Sequence, residues 1–415
     1  MTFIVVNSII FFNGMLNFIE YSDNPKTNLL HGGNQTMKRT LKLISLVLAV
    51  AMMVVCFASC GEQNAVENFA KDNTEYFIGA TGPLTGDASS YGISVNNGAT
   101  LAVDKINAAG GLNGKNFKFE MKDDKATAAD AGTGYDSLYE AGMQISIGSV
   151  TSGSCQTFAS KSAEDHVFFI TPSASNADVI VEDNAFRVCF GDPDQGILSA
   201  EELTGKFKNI GCIYDNSDPY SKGIYEAFDQ KMKELKVEYK VQSFDAENKK
   251  DFSTQVEALK DCDVIYTPIY YTEAGLIAKA VVAKGSKAEI FGCDGLDGVA
   301  DQVKGSKTTR IRYITPFDVN STEDNVKSFV EGYEKKYGSK PDQFAADGYD
   351  AVMTIFEAMK AAGVDDVTIA PSVLCDKVIE AITAESFSYK GVTGKMTWDK
   401  TGACNKVPVI IDLNK

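Results

Sequence analysis

Several loops of this sequence place hydroxyl or carboxylate side chains directly after a strand-like segment. Thr151 and Ser152 follow one such segment and open a helical one, while Ser173 and Asp294 follow two others. Backbone N–H groups at a helix start are unpaired, so this position favours an anion such as a carboxylate. A ligand that also carried an ammonium would need a fixed negative partner, for which Asp294 is the candidate, because an unpaired buried charge is costly. These positions favour a small charged ligand; ordinary helix capping and an aspartate-stabilised turn are the alternatives.

Groups that could carry out catalysis are scarce in this chain. His31 and His166 are its two histidines, which leaves almost no material for a Ser-His-Asp triad or a histidine metal site. Residues 391–395 lack the spacing of a phosphate-binding P-loop. Residues 400–402 lack the Ser-x-x-Lys partner of a penicillin-binding signature. The sequence therefore predicts a binding protein with no catalytic residue, metal or cofactor.

Strand-like and helical segments alternate along the chain in two successive series. The first series has strands at 75–80, 117–122, 144–148, 167–171 and 186–190, and the second at 209–214, 238–244, 264–268, 289–292 and 310–315. A block of helices follows at 322–337, 343–362 and 372–383. This alternation is typical of open parallel sheets, whose ligands bind at the carboxyl ends of the strands. We predict an α/β fold of two doubly wound parallel-sheet lobes.

Length, charge and cysteine content narrow the class of protein. The chain has 415 residues and a formal net charge of −16. That length is large for one hydrophobic core and agrees with two lobes. The negative charge favours solubility and argues against nucleic acid or anionic lipid as a partner. The seven cysteines after Cys60 form an odd set without metal-ligand spacing, so we expect no disulfide framework.

Residues 37–60 have the composition of a secretory signal of the lipoprotein kind. Basic residues precede the apolar run 43–57, and small residues lead to Cys60. Cys60 would become the lipidated N-terminus after cleavage. A transmembrane helix is the alternative, but the apolar run is short for a membrane span.

Residues 1–36 do not have the composition of a signal segment. We interpret them as an upstream extension and expect Met37 to be the true start. The alternative is a membrane-inserted extension formed by the hydrophobic residues 3–18.

The segment 78–114 resembles the opening of the type I periplasmic binding proteins. The likeness is specifically to their branched-chain amino-acid-binding branch, which serves ABC transporters. The family pattern is matched at Gly79, Pro83, Leu84, Thr85, Gly86, Gly92, Gly98, Leu101, Ala102, Val103, Ile106, Asn107, Gly110, Gly111 and Gly114. Later blocks match too, so the resemblance covers nearly everything from residue 74 to the end.

The resemblance implies which residues hold the ligand. The family binds a carboxylate at a V-T-S-G loop, which corresponds here to Val150, Thr151, Ser152 and Gly153. A second family loop receives the ammonium and carboxylate of an α-amino acid, and it corresponds to Ser173, Ala174 and Ser175. Asp294 would face the ammonium, and Tyr220 would close over the ligand from the second lobe. Tyr91 and Tyr270 are expected to line the cleft, with a surface location as the alternative.

The resemblance also implies the domain arrangement. Lobe 1 would comprise residues 74–190 and 318–388, and lobe 2 residues 191–317 and 389–415. The chain would cross between them three times and so form a hinge. Leu296 stands where many relatives have a tryptophan, so this position gives no guide to the ligand's side chain.

The implied function is capture of an amino acid for import. The protein would be a lipid-anchored monomer on the outer face of the cytoplasmic membrane, delivering a branched-chain amino acid or similar small zwitterion to the permease and ATPase subunits of an ABC transporter. An extracellular module that senses an amino acid or amide and signals to a membrane partner is the alternative.

Overall fold

The computed structural model describes residues 68–414. The predictions for the extension at 1–36, the signal segment 37–60 and its Cys60 lie outside this range. Within it, no helix combines the length and the apolar character that crossing a membrane requires. The seven cysteines of this part are all buried and unpaired with one another.

Five strands within residues 76–187, numbered β1 to β5 along the chain, form a parallel sheet in the order β2-β1-β3-β4-β5. Its strands are β1 (Tyr76–Gly82), β2 (Phe117–Asp123), β3 (Ile145–Ser149), β4 (Phe169–Thr171) and β5 (Ala185–Arg187), and the connecting helices are α1 (Ser89–Ala108), α2 (Ala128–Glu140) and α3 (Ser152–Asp165). All residues of β1 and β3 are buried, as expected for parallel strands with helices on both faces.

The next part of the chain forms a second sheet in the order β13-β10-β9-β8-β6-β7. Its elements are α4 (Asp192–Thr204), β6 (Ile210–Asp215), α5 (Pro219–Leu235), β7 (Lys240–Phe244), α6 (Ser253–Ala258), β8 (Val264–Thr267), α7 (Tyr271–Ala283), β9 (Glu289–Gly292), α8 (Val299–Val303), β10 (Ile311–Thr315) and the C-terminal β13 (Val409–Asp412). All neighbours are parallel except β13, which runs antiparallel to β10. The predicted fold of two doubly wound sheets is confirmed.

Three helices after β10 return to the first sheet: α9 (Asp324–Tyr337), α10 (Gln343–Ala361) and α11 (Pro371–Ile382). The backbones of α10 and α1 lie very close together. A Cβ atom on Gly98 would lie 1.9 Å from the carbonyl oxygen of Ala345, and one on Gly348 would lie 2.6 Å from that of Val95. Glycine is therefore required at both positions, and this packing fixes the start of α10 beside the carboxyl end of the first sheet.

The chain passes between the two sheets three times, after β5, after β10 and before β13. The last passage includes a small hairpin of β11 (Tyr389–Gly391) and β12 (Gly394–Met396), which contacts α10. Lys406 follows the hairpin and is fully buried, with its ammonium 3.2 Å from the carboxylate of Asp347 on α10. A buried ion pair thus ties the third crossing to the helices of the first sheet.

Candidate functional site

A cavity lies where the carboxyl-end loops of the two sheets face each other. From the first sheet and its helices come Tyr91 on α1, the loop after β3, Ser173 after β4 and Phe344 on α10. The second sheet contributes Tyr220 on α5, Tyr270 before α7 and the loop after β9. The complete lining is Tyr91, Val150, Thr151, Ser152, Ser173, Tyr220, Tyr270, Asp294, Gly295 and Phe344.

Thr151 and Ser152 form one polar side of the cavity at the start of α3. Thr151 is the residue that caps this helix, yet its side chain makes no capping hydrogen bond. Its hydroxyl oxygen is buried and has no hydrogen-bond partner among the described residues. By contrast, the hydroxyl of Thr127 caps α2 by accepting from the N–H of Asp130 at 3.2 Å. The start of α3 therefore offers a free hydroxyl and unpaired N–H groups, which together favour an anion.

Asp294 forms the opposite polar side, directly after β9. Its side chain is 4% exposed and accepts a hydrogen bond of 2.7 Å from the hydroxyl of Tyr220. Within residues 68–414 no lysine or arginine pairs with this carboxylate. Burial raises the pKa of Asp294 to about 6, although hydrogen bonds from Tyr220 and other neighbours oppose the shift. A ligand ammonium would supply the missing positive charge.

Neighbouring residues hold Asp294 in position. Its backbone N–H donates to the side-chain oxygen of Gln195 on α4 at 3.1 Å. Its carbonyl oxygen accepts from the side-chain amide of Gln343 on α10 at 2.7 Å. Because Gln343 comes from the helices of the first sheet, the Asp294 loop is fixed by both halves of the molecule.

Aromatic rings make up most of the remaining wall. Tyr220 stacks on Tyr270 with ring centroids 5.0 Å apart and planes 10° apart. The ring of Tyr91 meets that of Tyr270 edge-on, with their centroids 5.5 Å apart. The centroids of the Tyr91 and Phe344 rings are 4.2 Å apart. The hydroxyl of Tyr91 donates to the carbonyl oxygen of Gly295 at 2.5 Å. Each of these rings lines the cavity and has a hydroxyl contact or a ring neighbour that fixes its orientation.

The loop after β4 enters the cavity with only one of its three predicted residues. Ser173 lines it and donates through its hydroxyl to the carbonyl oxygen of Val150 at 2.7 Å. Ala174 and Ser175 are fully buried and do not line it. The carbonyl oxygen of Ser175 instead accepts from the Arg187 guanidinium and from the N–H of Asp192. In this arrangement Arg187 supports the loop from behind.

The structure thus brings seven of the nine predicted residues to one cavity. Val150, Gly295 and Phe344 join them. The sequence analysis named Val150 only as part of the V-T-S-G loop and did not select Gly295 or Phe344. Val150 and Gly295 are chain neighbours of predicted residues and could have been found in that way. Phe344 is the second residue of α10, and the sequence predicted only a helix there, so it carried no signal for the site.

Contacts at both rims of the cleft join the two halves of the molecule. At one rim the hydroxyls of Tyr271 and Thr272 donate to the carbonyl oxygen of Asp87, at 2.7 and 3.2 Å. At the other, the side-chain amide of Asn176 donates to the carbonyl oxygen of Pro219 at 2.9 Å. The cavity is therefore enclosed between two lobes that touch on either side of it.

Two lobes with an enclosed polar and aromatic cleft define a class of proteins that bind a ligand between domains. The chain belongs to the periplasmic binding protein family, whose model matches residues 75–408. Among curated relatives, a Leu/Ile/Val-binding protein homologue of Brucella abortus is 26% identical over 341 residues, which cover 79% of this chain and 87% of that protein.

Solved structures show the same fold. A leucine-binding protein of Thermotoga maritima has a TM-score of 0.72 and 26% identity, covering 80% of this chain and 94% of that one. The substrate-binding protein of a branched-chain amino-acid transporter from Streptococcus pneumoniae, solved in complex with isoleucine, has a TM-score of 0.69 and 27% identity. The match covers 81% of this chain and 100% of the Streptococcus pneumoniae chain. The predicted resemblance is confirmed.

Proposed function

We propose that this protein is the substrate-binding protein of an ABC importer and holds an amino acid in the cleft between its lobes. The observation that carries the proposal is the pairing of two incomplete sites across one cavity. Among residues 68–414, Asp294 is a buried carboxylate without a cation, and Thr151 is a buried hydroxyl without a partner at a helix start. An α-amino acid supplies the ammonium and the carboxylate that would complete both.

In this proposal Asp294 binds the ligand's ammonium, and Tyr220 orients the Asp294 carboxylate through its hydroxyl. Thr151, Ser152 and the first N–H groups of α3 bind the ligand's carboxylate. Ser173 contributes polar lining beside them. No bond of the ligand is broken, so the protein needs only to release it when the lobes separate. Relatives that bind leucine or isoleucine on the same fold support this proposal.

We further propose the cellular arrangement that the sequence suggests. Cys60 would become the lipidated N-terminus once the signal segment ahead of it is cleaved off, holding the protein on the outer face of the cytoplasmic membrane. The protein would act as a monomer and deliver its ligand to permease and ATPase subunits. Metabolic labelling with a fatty-acid analogue tests the anchor, since Cys60→Ser should abolish the label.

Titration calorimetry of the protein against the twenty standard amino acids tests the binding proposal. We expect saturable binding of at least one of them with one site per chain. The purified protein should first be unfolded, dialysed and refolded, so that a co-purified ligand does not mask the result. Absence of measurable heat with all twenty would overturn the proposed function.

A further inference from the structure

The cavity between the lobes is very small. The volume in which the centre of a water molecule can lie is about 10 Å³. This is about the smallest volume that holds one water molecule. Typical small-molecule pockets are of the order of 300 Å³ or more. An amino acid must therefore widen this cavity, and every additional side-chain atom must widen it further.

The apolar wall of the cavity is a continuous chain of rings. Phe344 packs on Tyr91, Tyr91 on Tyr270, and Tyr270 on Tyr220, with centroid separations of 4.2, 5.5 and 5.0 Å. Phe344, Tyr91 and Tyr220 are each at most 4% exposed. Because neighbouring rings touch, moving one ring outward displaces the next.

Hydrogen bonds to one backbone position fix two of these rings. Gly295 accepts from the hydroxyl of Tyr91 at 2.5 Å through its carbonyl and donates to the hydroxyl of Tyr220 at 2.9 Å through its N–H. Tyr91 also accepts from the N–H of Tyr271 at 3.1 Å. A Cβ atom at position 295 would lie 2.7 Å from the Tyr220 hydroxyl, so the contact requires glycine. A ligand that pushed these rings apart would break buried hydrogen bonds, which is costly.

We propose that the site selects α-amino acids with short side chains, of the size of glycine, alanine or serine, and discriminates against leucine and isoleucine. This inference rests on the proposed function, in which Asp294 and Thr151 take the charged groups of the ligand. The side chain then meets the ring wall and Val150. Forcing extra methyl groups into a packed apolar wall is unfavourable, and Phe344 and Tyr91 are the residues that set the limit.

Direct titration calorimetry with one amino acid at a time tests the proposal, using glycine, alanine, serine, valine, leucine and isoleucine. The short side chains should bind at least tenfold more tightly than valine and at least a hundredfold more tightly than leucine. Leucine or isoleucine binding as tightly as alanine would overturn the size limit and leave the proposed function standing. Failure of every amino acid to bind would overturn both.

A widened variant tests the role of the ring wall separately. Phe344→Val should improve leucine binding relative to alanine by at least tenfold. Phe329→Val is the matched control, because Phe329 is a buried ring that packs on Phe317 and Tyr349 and does not line the cavity. Thermal melts confirm that both variants are folded. An unchanged leucine-to-alanine ratio in folded Phe344→Val would contradict the assignment of this residue.

Discussion

Asp294 would combine its proposed binding role with a cost to stability. Its carboxylate is buried without a cation among the described residues, and its pKa is raised to about 6 in the folded protein. The folded state therefore binds a proton more tightly than the unfolded state does. The resulting destabilisation is fully present above pH 6 and disappears as the pH falls towards the unfolded pKa of about 3.8. Residues that are unfavourable for folding in this way are common at functional sites.

Replacing Asp294 with asparagine should separate these two effects. The asparagine oxygen can still accept from Tyr220, but the negative charge is lost. We expect amino-acid affinity at pH 7 to fall more than about tenfold. The free energy of unfolding at pH 7 should rise by about 1 to 3 kcal/mol, since one pKa unit corresponds to about 1.4 kcal/mol.

Calorimetry and urea unfolding measure the two quantities. Asp376→Asn is the control, because that carboxylate is 75% exposed and its partner is His166, neither of which lines the cavity. It should leave the affinity unchanged and change the free energy of unfolding by less than about 1 kcal/mol. Unchanged affinity in Asp294→Asn would reject the role of Asp294 as the ammonium partner.

The same carboxylate predicts a pH dependence of binding. A ligand ammonium favours the ionised form of Asp294, so binding must release the proton that the free protein holds below pH 6. The affinity should be constant above pH 7 and fall by up to about tenfold per pH unit below pH 6. Calorimetry from pH 5 to 8 measures this slope. The slope should be absent in Asp294→Asn, and its persistence there would assign it to another group.

Thr151 allows a complementary test at the carboxylate end of the ligand. Its hydroxyl has no partner in the part of the chain that the structure describes, so Thr151→Val should change the free energy of unfolding by no more than about 1 kcal/mol. Ligand affinity should fall about tenfold, because one hydrogen bond to a charged group is lost. Thr127→Val is the matched control. It removes a formed helix cap, so it should cost about 1 kcal/mol of stability and leave affinity unchanged. A loss of stability in Thr151→Val together with a loss of affinity in Thr127→Val would contradict the assignment of Thr151 to the ligand's carboxylate.

At the scale of elements, the third crossing depends on buried charge. The ammonium of Lys406 lies beside Asp347 and the hydroxyl of Thr393. Asp350 accepts from the N–H groups of Val392 and Thr393, which lie between the hairpin strands. These contacts fasten β11, β12 and the following segment to α10.

Removing Lys406 should therefore be severe. Lys406→Met leaves buried carboxylates without their cation and should cost about 3 to 5 kcal/mol in urea unfolding. Lys336→Met, which breaks an exposed ion pair with Asp104, should cost less than about 1 kcal/mol. Equal effects of the two substitutions would show that the burial of Lys406 does not matter for stability.

Element boundaries show what the sequence can and cannot specify. The strand predicted over 289–292 coincides with β9, and 117–122 differs from β2 by one residue. The strand predicted over 186–190 is wrong in its second half, because β5 ends at Arg187. Residues 188–190 are buried in the crossing between sheets, and the N–H of Val188 still donates to the carbonyl oxygen of Thr171 at 3.0 Å, so their apolar character matches that of a buried strand. Apolar residues buried in a crossing and apolar residues buried in a sheet give the same pattern in the sequence.

The residues of the candidate site also include some that could be predicted from the sequence and one that could not. Residues in loops after strands could be predicted, because the topology places all such loops at one edge of each sheet. Phe344 could not, since it reaches the cavity through the packing of α10 on α1. That packing depends on the close approach at Gly98 and Gly348, which no local pattern reveals.

At the scale of the whole molecule, the two sheets and three crossings suit a hinged protein. We retain as a proposal the lobe boundaries 74–190 with 318–388 and 191–317 with 389–415. The hairpin of β11 and β12 contacts α10, whereas β13 joins the second sheet. The rim contacts from Asp87 and Pro219 would break when the lobes separate, and the cavity would then open to solvent. Ligand binding would therefore favour the arrangement in which both rims are in contact.

The most direct test of the zwitterion site compares the best-binding amino acid with two analogues that each lack one charge. One is the corresponding carboxylic acid without the ammonium, and the other is the amine without the carboxylate. Calorimetry should show that each analogue binds at least about a hundredfold more weakly, a loss of about 2.7 kcal/mol. A carboxylic acid without an ammonium that binds as tightly as the amino acid would contradict the account.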